Sequence, residues 1–426
     1  MEGRQGRGPH LLKITDVKAA TVEGNYQWTF VRVYAGKESG TGEGFPAAQL
    51  ENVVGEYAPL VVGEDAFDIA KIMDKLRWAS VPSGTSGISY HAFSAIEIAI
   101  LDLLGKHLNL PVYSLLGGKF RDKVRIYVDT HAGKSLESMS RVLLPTTPRW
   151  TRELGAKPVD EKKGEPVHGR ATPMVFSDDY SIEAYSARAR EMKKEGFTAI
   201  KFDLDIPTPH TTKHSQETGS LNNQEVEYLS NLVGAVREAV GYETDILFDL
   251  HWKYDVSSSI RLADSIEKYG VTWLEDPVPP ENIPLLREVT NSTKVPIASG
   301  ENQYGRYQFA QLLETGIKVA TPDAPKAGGL LETRLIAQLA AMKEVTVSPH
   351  NISSPIGTMS QAHLAASIPN FGVLEFHGHD VPIWYKLCKR TVIENGFIQL
   401  TDEPGLGMEL DETVAAKYAL DEKFDL

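Results

Sequence analysis

Eight short apolar runs, each followed by a longer stretch with helical character, occupy most of the chain from Val124 onward. In order they read VRIYVD, TAIKFD, DILFDL, VTWLED, VPIASGE, IKVATPD, VTVSPH and GVLEF. Runs this short and nearly continuous in Val, Ile, Leu or Phe are typical of parallel strands that are buried on both faces. The pattern predicts an α/β fold whose larger domain is a (β/α)8 barrel, a modified TIM barrel.

The residues before the barrel predict a smaller α+β domain. From Ile14 to about Gly44 apolar and polar residues alternate, which predicts an antiparallel meander with a turn at GTGEG. Residues 91–107 have a helical period, with Ile96, Ile100 and Leu103 on one face. We expect an N-terminal α+β domain over residues 1–123, the barrel over 124–384, and a C-terminal segment over 385–426 that packs back on the first domain.

Charge and composition restrict the partners and the compartment. The chain has 426 residues and a formal net charge of −13, so nucleic acid and anionic membranes would repel it. Its single cysteine, Cys388, cannot form an internal disulfide and is expected to be a small buried apolar residue. No segment approaches the roughly 20 apolar residues of a membrane span. The start, MEGRQGRGPHLL, lacks the apolar run of a signal peptide, so we expect a cytoplasmic protein.

Three acidic residues stand at the ends of three successive predicted strands. Asp249, Glu275 and Glu301 are separated by 26 residues in each step, which is the length of one strand, one helix and two loops. A single strand-end carboxylate is more often a helix cap or an ion-pair partner, but three in matched positions converge on one rim of the barrel. Hard oxygen ligands of this kind predict a catalytic Mg²⁺ site, which would also attract an anionic substrate.

Every strand from the second to the eighth carries a titratable group near its C-terminal end. In strand order these are Lys201 with Asp203, Asp249 with His251, Glu275, Glu301, Asp323, His350 and Glu375. Residues two apart on a strand share a face, so each of the first two pairs is expected to point the same way. Lys201 is then placed to bind a substrate carboxylate, although a lysine that caps barrel carbonyls is the structural alternative.

These groups fit proton removal next to a carboxylate. The reaction leaves an ene-diolate, whose charge must be held by a metal ion and by positive side chains. A base near neutral pKa is best supplied by a histidine held by a carboxylate, and His350 and Asp323 lie on neighbouring strands. His251, beside a metal ligand, is the candidate acid for expelling a β-hydroxyl as water.

The chain resembles the mandelate racemase branch of the enolase superfamily, and within it the acid-sugar dehydratases of the galactonate and gluconate type. The resemblance rests on SAIEIAILDLLGKHLNLPVYSLLGGKFRD, the three metal carboxylates, the pair Asp323 and His350, and Glu375. It implies that Glu375 hydrogen-bonds the substrate carboxylate, and that the N-terminal domain is a capping domain over the barrel mouth. Tyr26, Gln27 and Trp28 lie where a capping loop would contact the substrate, or are an ordinary strand pair.

The resemblance also implies a small-molecule sugar acid as substrate and a homo-oligomer, a dimer or an octamer. Long insertions near residues 131–178 and 204–223 would shape the pocket or an assembly contact, or would be disordered decoration. His377 and His379, after the eighth strand, either line the pocket or are structural.

One departure from the family pattern bears on the reaction. Racemases of this branch commonly carry Lys-x-Lys on the second strand, whereas here the second position is Asp203, either a pocket residue or a partner that holds Lys201. Three hypotheses stay open: a sugar-acid dehydratase, which is the leading one; a racemase or epimerase with Lys201 as the opposing base; and a protein that kept the scaffold without catalysis.

Overall fold

The computed structural model describes residues 11–130, 149–150, 179–390, 392–421 and 424–426. The N-terminal domain begins with an antiparallel sheet of three strands, β1 (Asp16–Glu23), β2 (Gln27–Ala35) and β3 (Glu38–Gly44), in that spatial order. Four helices follow, Leu50–Val61, Ile69–Ser80, Ile88–Leu108 and Val112–Leu115, with single 3-10 turns at Ala66–Asp68 and Val81–Ser83. The predicted α+β arrangement of this domain is confirmed.

The segment GTGEG is part of β3, so the prediction of a turn there is wrong. The turn lies at Gly36, where φ is +65°, and β3 pairs with β2 from Glu38 to Gly44. The glycines of β3 are required by a tertiary contact. A Cβ at Gly40 would lie 2.2 Å from the Ala99 carbonyl oxygen, and a Cβ at Gly42 would lie 2.2 Å from that of Ala95. The glycines therefore let the helix Ile88–Leu108 pack directly on the strand backbone.

The helix Ile88–Leu108 forms the centre of the N-terminal domain. By length and composition it could cross a membrane, so the expectation that no segment approaches such a span is wrong; however, 94% of its most apolar window is buried inside the protein. It packs against β3 on one side and against the barrel helix Ala324–Ala327 on another. Its apolar character is accounted for by these contacts.

The barrel strands are the eight predicted ones. They are β4 (Lys123–Asp129), β5 (Ala199–Asp203), β6 (Asp245–Asp249), β7 (Trp273–Glu275), β8 (Ile297–Ser299), β9 (Val319–Ala320), β10 (Thr346–Val347) and β11 (Leu374–Phe376). Each pairs in parallel with the next from β4 to β10, and β11 pairs with β4. Backbone hydrogen bonds from Val347 to Asn370 and from Glu375 to Pro349 join the last two strands and close the barrel.

Helices cover the outside of the barrel. Their bounds are Ile182–Lys194, Lys213–Thr218, Asn223–Val240, Val256–Ile266, Ile283–Ser292, Gly305–Leu312, Ala324–Ala327, Leu330–Ala341 and Pro355–Ser367, with a 3-10 turn at Glu267–Tyr269. The short helix Lys213–Thr218 lies within the second predicted insertion, where Thr212 and Ser215 form a capping box. Most of the first insertion lies outside the described residues.

A layer of inward-facing side chains fills the barrel below its C-terminal rim. Its members come from seven of the strands or their flanks: Tyr127, Ala199, Leu247, Trp273, Ala298, Val319 and Val373. Because residues two apart share a face of a strand, the next inward positions after Ala199, Leu247 and Trp273 are Lys201, Asp249 and Glu275. The apolar layer is therefore the floor of the charged site.

The C-terminal segment contacts both domains. The hairpin of β12 (Ile393–Glu394) and β13 (Phe397–Gln399) adds antiparallel to β4, and a helix follows at Glu412–Lys417. Beyond it, the Leu420 amide donates to the Thr21 carbonyl over 2.9 Å, beside β1. The chain end is thus tied to the N-terminal sheet.

Candidate active site

Asp249, Glu275 and Glu301 come together at the C-terminal rim of the barrel. One oxygen from each lies within 4.8 Å of the others, and all three residues are buried. Asp249 and Glu275 end β6 and β7 and are paired in register, whereas Glu301 follows β8 by two residues. The intervening Gly300 has φ +147° and Phe309 within 2.9 Å of a hypothetical Cβ, so only glycine lets the chain turn there.

The electrostatics of this triad fit a divalent cation. Burial, with nearby Asp249, Glu375 and Asp276, raises the pKa of Glu275 well above its usual range, although Lys201 opposes the shift. Among the residues that the structure describes, none hydrogen-bonds to the buried Oε1 of Glu275. A set of crowded hard oxygen donors with one atom unsatisfied is what a bound Mg²⁺ would complete.

Lys201 lies at the centre of the acidic groups. Its ammonium is 2.8 Å from Glu375 Oε1, 3.2 Å from Asp249 Oδ2, 3.5 Å from Glu275 Oε2 and 3.8 Å from Asp129 Oδ2. Burial would lower the pKa of Lys201, but these carboxylates outweigh it and raise the pKa well above its usual range. The side chain is therefore a permanent cation beside the triad.

His350 and Asp323 form a hydrogen-bonded pair on the opposite side of the triad from β5. The distance from His350 Nδ1 to Asp323 Oδ2 is 2.8 Å, and Nε2 lies 3.5 Å from Glu301 Oε2. Burial lowers the His350 pKa, but Glu301, Glu375 and Asp323 outweigh it and raise the pKa to about 10. Gln361 donates to the His350 carbonyl over 2.9 Å, which fixes the backbone at this position.

Glu375 on β11 joins the two halves of the site. Its Oε1 binds Lys201, its Oε2 accepts from the Asn351 amide over 2.8 Å, and Oε2 lies 3.8 Å from His350 Nε2. Burial would raise the pKa of Glu375, but Lys201 and the histidines lower it. These cations favour the ionised form of Glu375 until a second anion binds beside it.

His251 is beside Asp249, but the reason differs from the one that the sequence suggested. β6 ends at Asp249, and His251 and Trp252 follow in the left-handed conformation with φ +40° and +51°. The turn, rather than the alternation of a strand, brings His251 Nδ1 to 3.8 Å from Asp249 Oδ1 and from Asp203 Oδ1. Burial would lower the His251 pKa, but the surrounding carboxylates raise it well above its usual range.

Two of the predicted capping-loop residues, Tyr26 and Trp28, contact the loops that follow β11 and β10, respectively. Tyr26 stacks obliquely on His377, with ring centroids 5.6 Å apart, and Asn25 Nδ2 is 2.9 Å from His377 Nδ1. Trp28 is fully buried, and its indole donates to the Ile352 carbonyl over 3.2 Å. Contact of these side chains with a substrate stays a prediction.

His379 lies further from the rim. Its Nε2 is 3.3 Å from Oε2 of Glu195, the residue that follows the outer helix Ile182–Lys194. This ion-pair contact agrees with the structural role, which was one of the two roles considered for His379 from the sequence.

Sequence reasoning missed several buried charged groups of the site, among them Asp129, Asp205 and Lys326. Asp129 ends β4, the one barrel strand not credited with a titratable group, and lies 3.4 Å from His377 Nε2. Asp205 contacts His251 from the loop after β5. Lys326, in the motif PDAPK, donates to Asn302 over 2.6 Å and lies 4.1 Å from the centroid of the Phe45 ring. Of these three residues, only Asp129 lies at the end of a barrel strand, which is the pattern by which the other site residues were found.

Comparison with known proteins agrees with this geometry. The family model described as "Enolase C-terminal domain-like" matches residues 184–414. The model described as "Mandelate racemase / muconate lactonizing enzyme, N-terminal domain" matches residues 7–117. The chain belongs to the mandelate racemase / muconate lactonizing enzyme family of the enolase superfamily. The resemblance inferred from the sequence is confirmed, as is the fold of a capping domain with a (β/α)8 barrel.

Members of this family align with nearly the whole chain. A D-xylonate dehydratase of Haloferax volcanii is 38% identical over 408 residues, which is 95% of this chain and 88% of that protein. A D-galactonate dehydratase family member of Salmonella enteritidis is 28% identical and covers 96% of this chain and 94% of its own length. The crystal structure of a mandelate racemase/muconate lactonizing enzyme-like protein from Rubrobacter xylanophilus superposes with a TM-score of 0.84 at 37% identity, covering 97% of this chain and 98% of its own.

Proposed function

We propose that the protein is a Mg²⁺-dependent hydro-lyase that converts a sugar acid to the 2-keto-3-deoxy acid. The observation that carries the proposal is the placement of two histidines on either side of one carboxylate triad. His350 is held by Asp323 and lies next to Glu301, whereas His251 lies next to Asp249. A dehydration needs a base and an acid around one bound carboxylate, and this arrangement supplies both.

The substrate carboxylate would bind Lys201, and Glu375, which takes up a proton beside this second carboxylate, would donate a hydrogen bond to it. His350 then removes the proton from the adjacent carbon, and the electron pair spreads into the carboxylate as an ene-diolate. The pair returns to form a carbon–carbon double bond while the β-hydroxyl leaves, protonated by His251, as water. The resulting enol ketonises to the product.

A divalent cation held by Asp249, Glu275 and Glu301 would stabilise the ene-diolate charge and offset the Glu301 charge that raises the His350 pKa. The protein supplies the remaining positive charge through Lys201, at 3.2 Å from Asp249 and 2.8 Å from Glu375.

The alternative, racemisation or epimerisation, requires a second base on the face opposite His350. Lys201 is poorly placed to be that base, because its ammonium is ion-paired with Glu375 at 2.8 Å and is assigned to the substrate carboxylate. Asp203 occupies the place of the second lysine and lies 3.8 Å from His251 Nδ1. The charge balance therefore favours dehydration over a two-base reaction.

A five-carbon aldonate such as D-xylonate is the first substrate to test, since the D-xylonate dehydratase of Haloferax volcanii is 38% identical over 95% of this chain. D-Gluconate and D-galactonate follow. We further propose Mg²⁺ as the natural metal, Asp203, Tyr26, Trp28 and His377 as substrate-contacting residues, and action as a cytoplasmic homo-oligomer. The single cysteine, Cys388, is free and buried, which suits a reducing compartment.

The decisive experiment screens four-, five- and six-carbon sugar acids with Mg²⁺ and with excess chelator, and follows 2-keto acid formation and solvent deuterium at the α-carbon. The proposal expects keto acid from at least one substrate, lost in chelator. A changed configuration with retained water would establish the epimerase instead. If no sugar acid gives a keto acid and none exchanges its α-proton, both the dehydratase and the epimerase proposals are refuted.

A further inference from the structure

A buried carboxylate that no part of the proposed reaction uses lies against His251. Asp205 is fully buried in the loop after β5, and its Oδ1 is 3.1 Å from His251 Nδ1. The other carboxylates near this nitrogen, Asp203 and Asp249, are 3.8 Å away. Only the Asp205 distance is within the range of an N–H···O hydrogen bond.

The loop that carries Asp205 is tied to the turn that carries His251. The Leu204 amide donates to the Asp249 carbonyl over 2.8 Å, and the Tyr254 hydroxyl donates to the Leu204 carbonyl over 2.8 Å. The Lys253 ammonium donates to the Asp205 carbonyl. These three bonds lie on both sides of His251 in sequence, so the carboxylate and the imidazole are held in one rigid unit.

This pairing resembles that of His350 with Asp323, whose corresponding distance is 2.8 Å. In both pairs Nδ1 faces a buried carboxylate, so Nε2, on the other side of the ring, points away from that carboxylate and is the nitrogen that we assign to proton transfer. If His251 acts as an acid through Nε2, its neutral ring must keep the remaining hydrogen on Nδ1 after the proton has been transferred. A carboxylate accepts that hydrogen, whereas an amide can instead donate to Nδ1 and trap the proton on Nε2.

We propose that Asp205 is the positioning residue of a second histidine–aspartate pair, which holds His251 in the tautomer that delivers a proton from Nε2. The proposal rests on the proposed dehydration, in which the β-hydroxyl accepts that proton and leaves as water. Asp205 itself does not touch the substrate. It acts on the elimination step through His251, and not on the removal of the α-proton by His350.

The test compares Asp205→Asn with Asp264→Asn, which makes the same change on the exposed face of the helix Val256–Ile266. Two rates are measured with the best substrate in deuterated water: α-proton exchange and 2-keto acid formation. We expect Asp205→Asn to slow keto acid formation about 100-fold or more, the usual contribution of a general acid, with exchange reduced less than about threefold. Asp264→Asn should leave both rates unchanged.

Equal loss of exchange and elimination in Asp205→Asn would mean that the residue is merely structural, and unchanged elimination would mean that it is dispensable. Either result overturns the proposal while the dehydration by the unmutated protein stands. If the unmutated protein makes no keto acid at all, the proposed function fails by itself.

A second measurement does not depend on turnover. Protein labelled with nitrogen-15 histidine should show a protonated, hydrogen-bonded Nδ1 for His251, assigned from the signal missing in His251→Gln. Asp205→Asn should move this signal and Asp264→Asn should not. An identical His251 spectrum in Asp205→Asn would overturn the inference whatever the substrate proves to be.

Discussion

At the scale of single residues, Glu275 combines an unfavourable electrostatic environment with a place in the triad. Its carboxylate is fully buried, its pKa is raised by burial and by neighbouring acids, and its Oε1 has no hydrogen bond from the described residues. Ionised carboxylates in such a position cost stability unless a cation offsets them. The residue is therefore better explained by metal binding than by any contribution to folding.

We predict that Glu275→Gln abolishes Mg²⁺-dependent turnover without loss of fold. In chelator the variant should melt at or above the temperature of the unmutated protein, because one buried charge is gone. Mg²⁺ at 100 times its Kd should stabilise the unmutated protein by about 2.7 kcal/mol and the variant far less. Thermal unfolding with and without Mg²⁺ measures both effects. A variant that is unfolded by circular dichroism, or that gains as much from Mg²⁺, would contradict the assignment.

The two histidines should have separable effects. His350→Asn is expected to stop α-proton exchange and product formation together, by about 10²- to 10⁴-fold, because nothing else at that side removes the proton. His251→Asn should retain part of the exchange and block the loss of water. Exchange in deuterated water and keto acid formation are measured side by side. Equal loss of both in His251→Asn would count against its role as the acid.

At the scale of secondary-structure elements, buried carboxylates of the N-terminal domain bind the starts of barrel helices. Glu43 on β3 accepts from the amides of Ser354 and Gly357 over 2.9 and 2.8 Å, at the start of the helix Pro355–Ser367. Glu97 accepts from the amides of Leu330 and Leu331, both over 2.8 Å. Helix N-termini carry partial positive charge, so these contacts dock the two domains.

We predict that at pH 5 Glu97→Gln destabilises the protein by about 1–3 kcal/mol, because the side-chain NH2 of glutamine cannot accept the amide hydrogen bond that a carboxyl oxygen accepts. Burial raises the pKa of Glu97 to about 7, from an ordinary value of 4.5. The folded state thus binds more protons than the unfolded state between these values, so this group's contribution is full below pH 4.5 and falls as the pH rises to about 7. The unmutated protein should therefore melt above Glu97→Gln by a larger margin at pH 5 than at pH 8. A margin that does not change with pH would contradict the raised pKa of Glu97.

Much of the element order could be predicted from the sequence, because eight apolar runs at regular spacing leave few alternatives. The convergence of Asp249, Glu275 and Glu301 follows from the same regularity. Contacts that depend on backbone turns could not be predicted. His251 reaches Asp205 through a left-handed turn, which no periodicity specifies. The glycines of GTGEG suggested a turn, but their cause is the backbone of the helix Ile88–Leu108, a tertiary contact that local sequence does not encode.

At the scale of the whole molecule, the chain end supports the loop between β1 and β2. The Glu23 amide donates to the Tyr418 carbonyl and the Leu420 amide to the Thr21 carbonyl, each over 2.9 Å. On its other side this loop contacts the barrel through Asn25 and His377. The position of the capping loop over the rim therefore depends on residues almost 400 positions further along the chain.

Removal of the residues from Ala419 to Leu426 should loosen the capping loop while leaving the triad and both histidine pairs intact. We expect KM for the sugar acid to rise about tenfold, equivalent to about 1.4 kcal/mol of binding, with a smaller loss in kcat. Steady-state kinetics measures the split. Asp425→Asn is the matched control, because it removes the ion pair with Lys18, in which the aspartate side chain is 74% exposed, and such surface pairs contribute little. If truncation lowers kcat and leaves KM unchanged, the chain end acts on the barrel rather than on the capping loop.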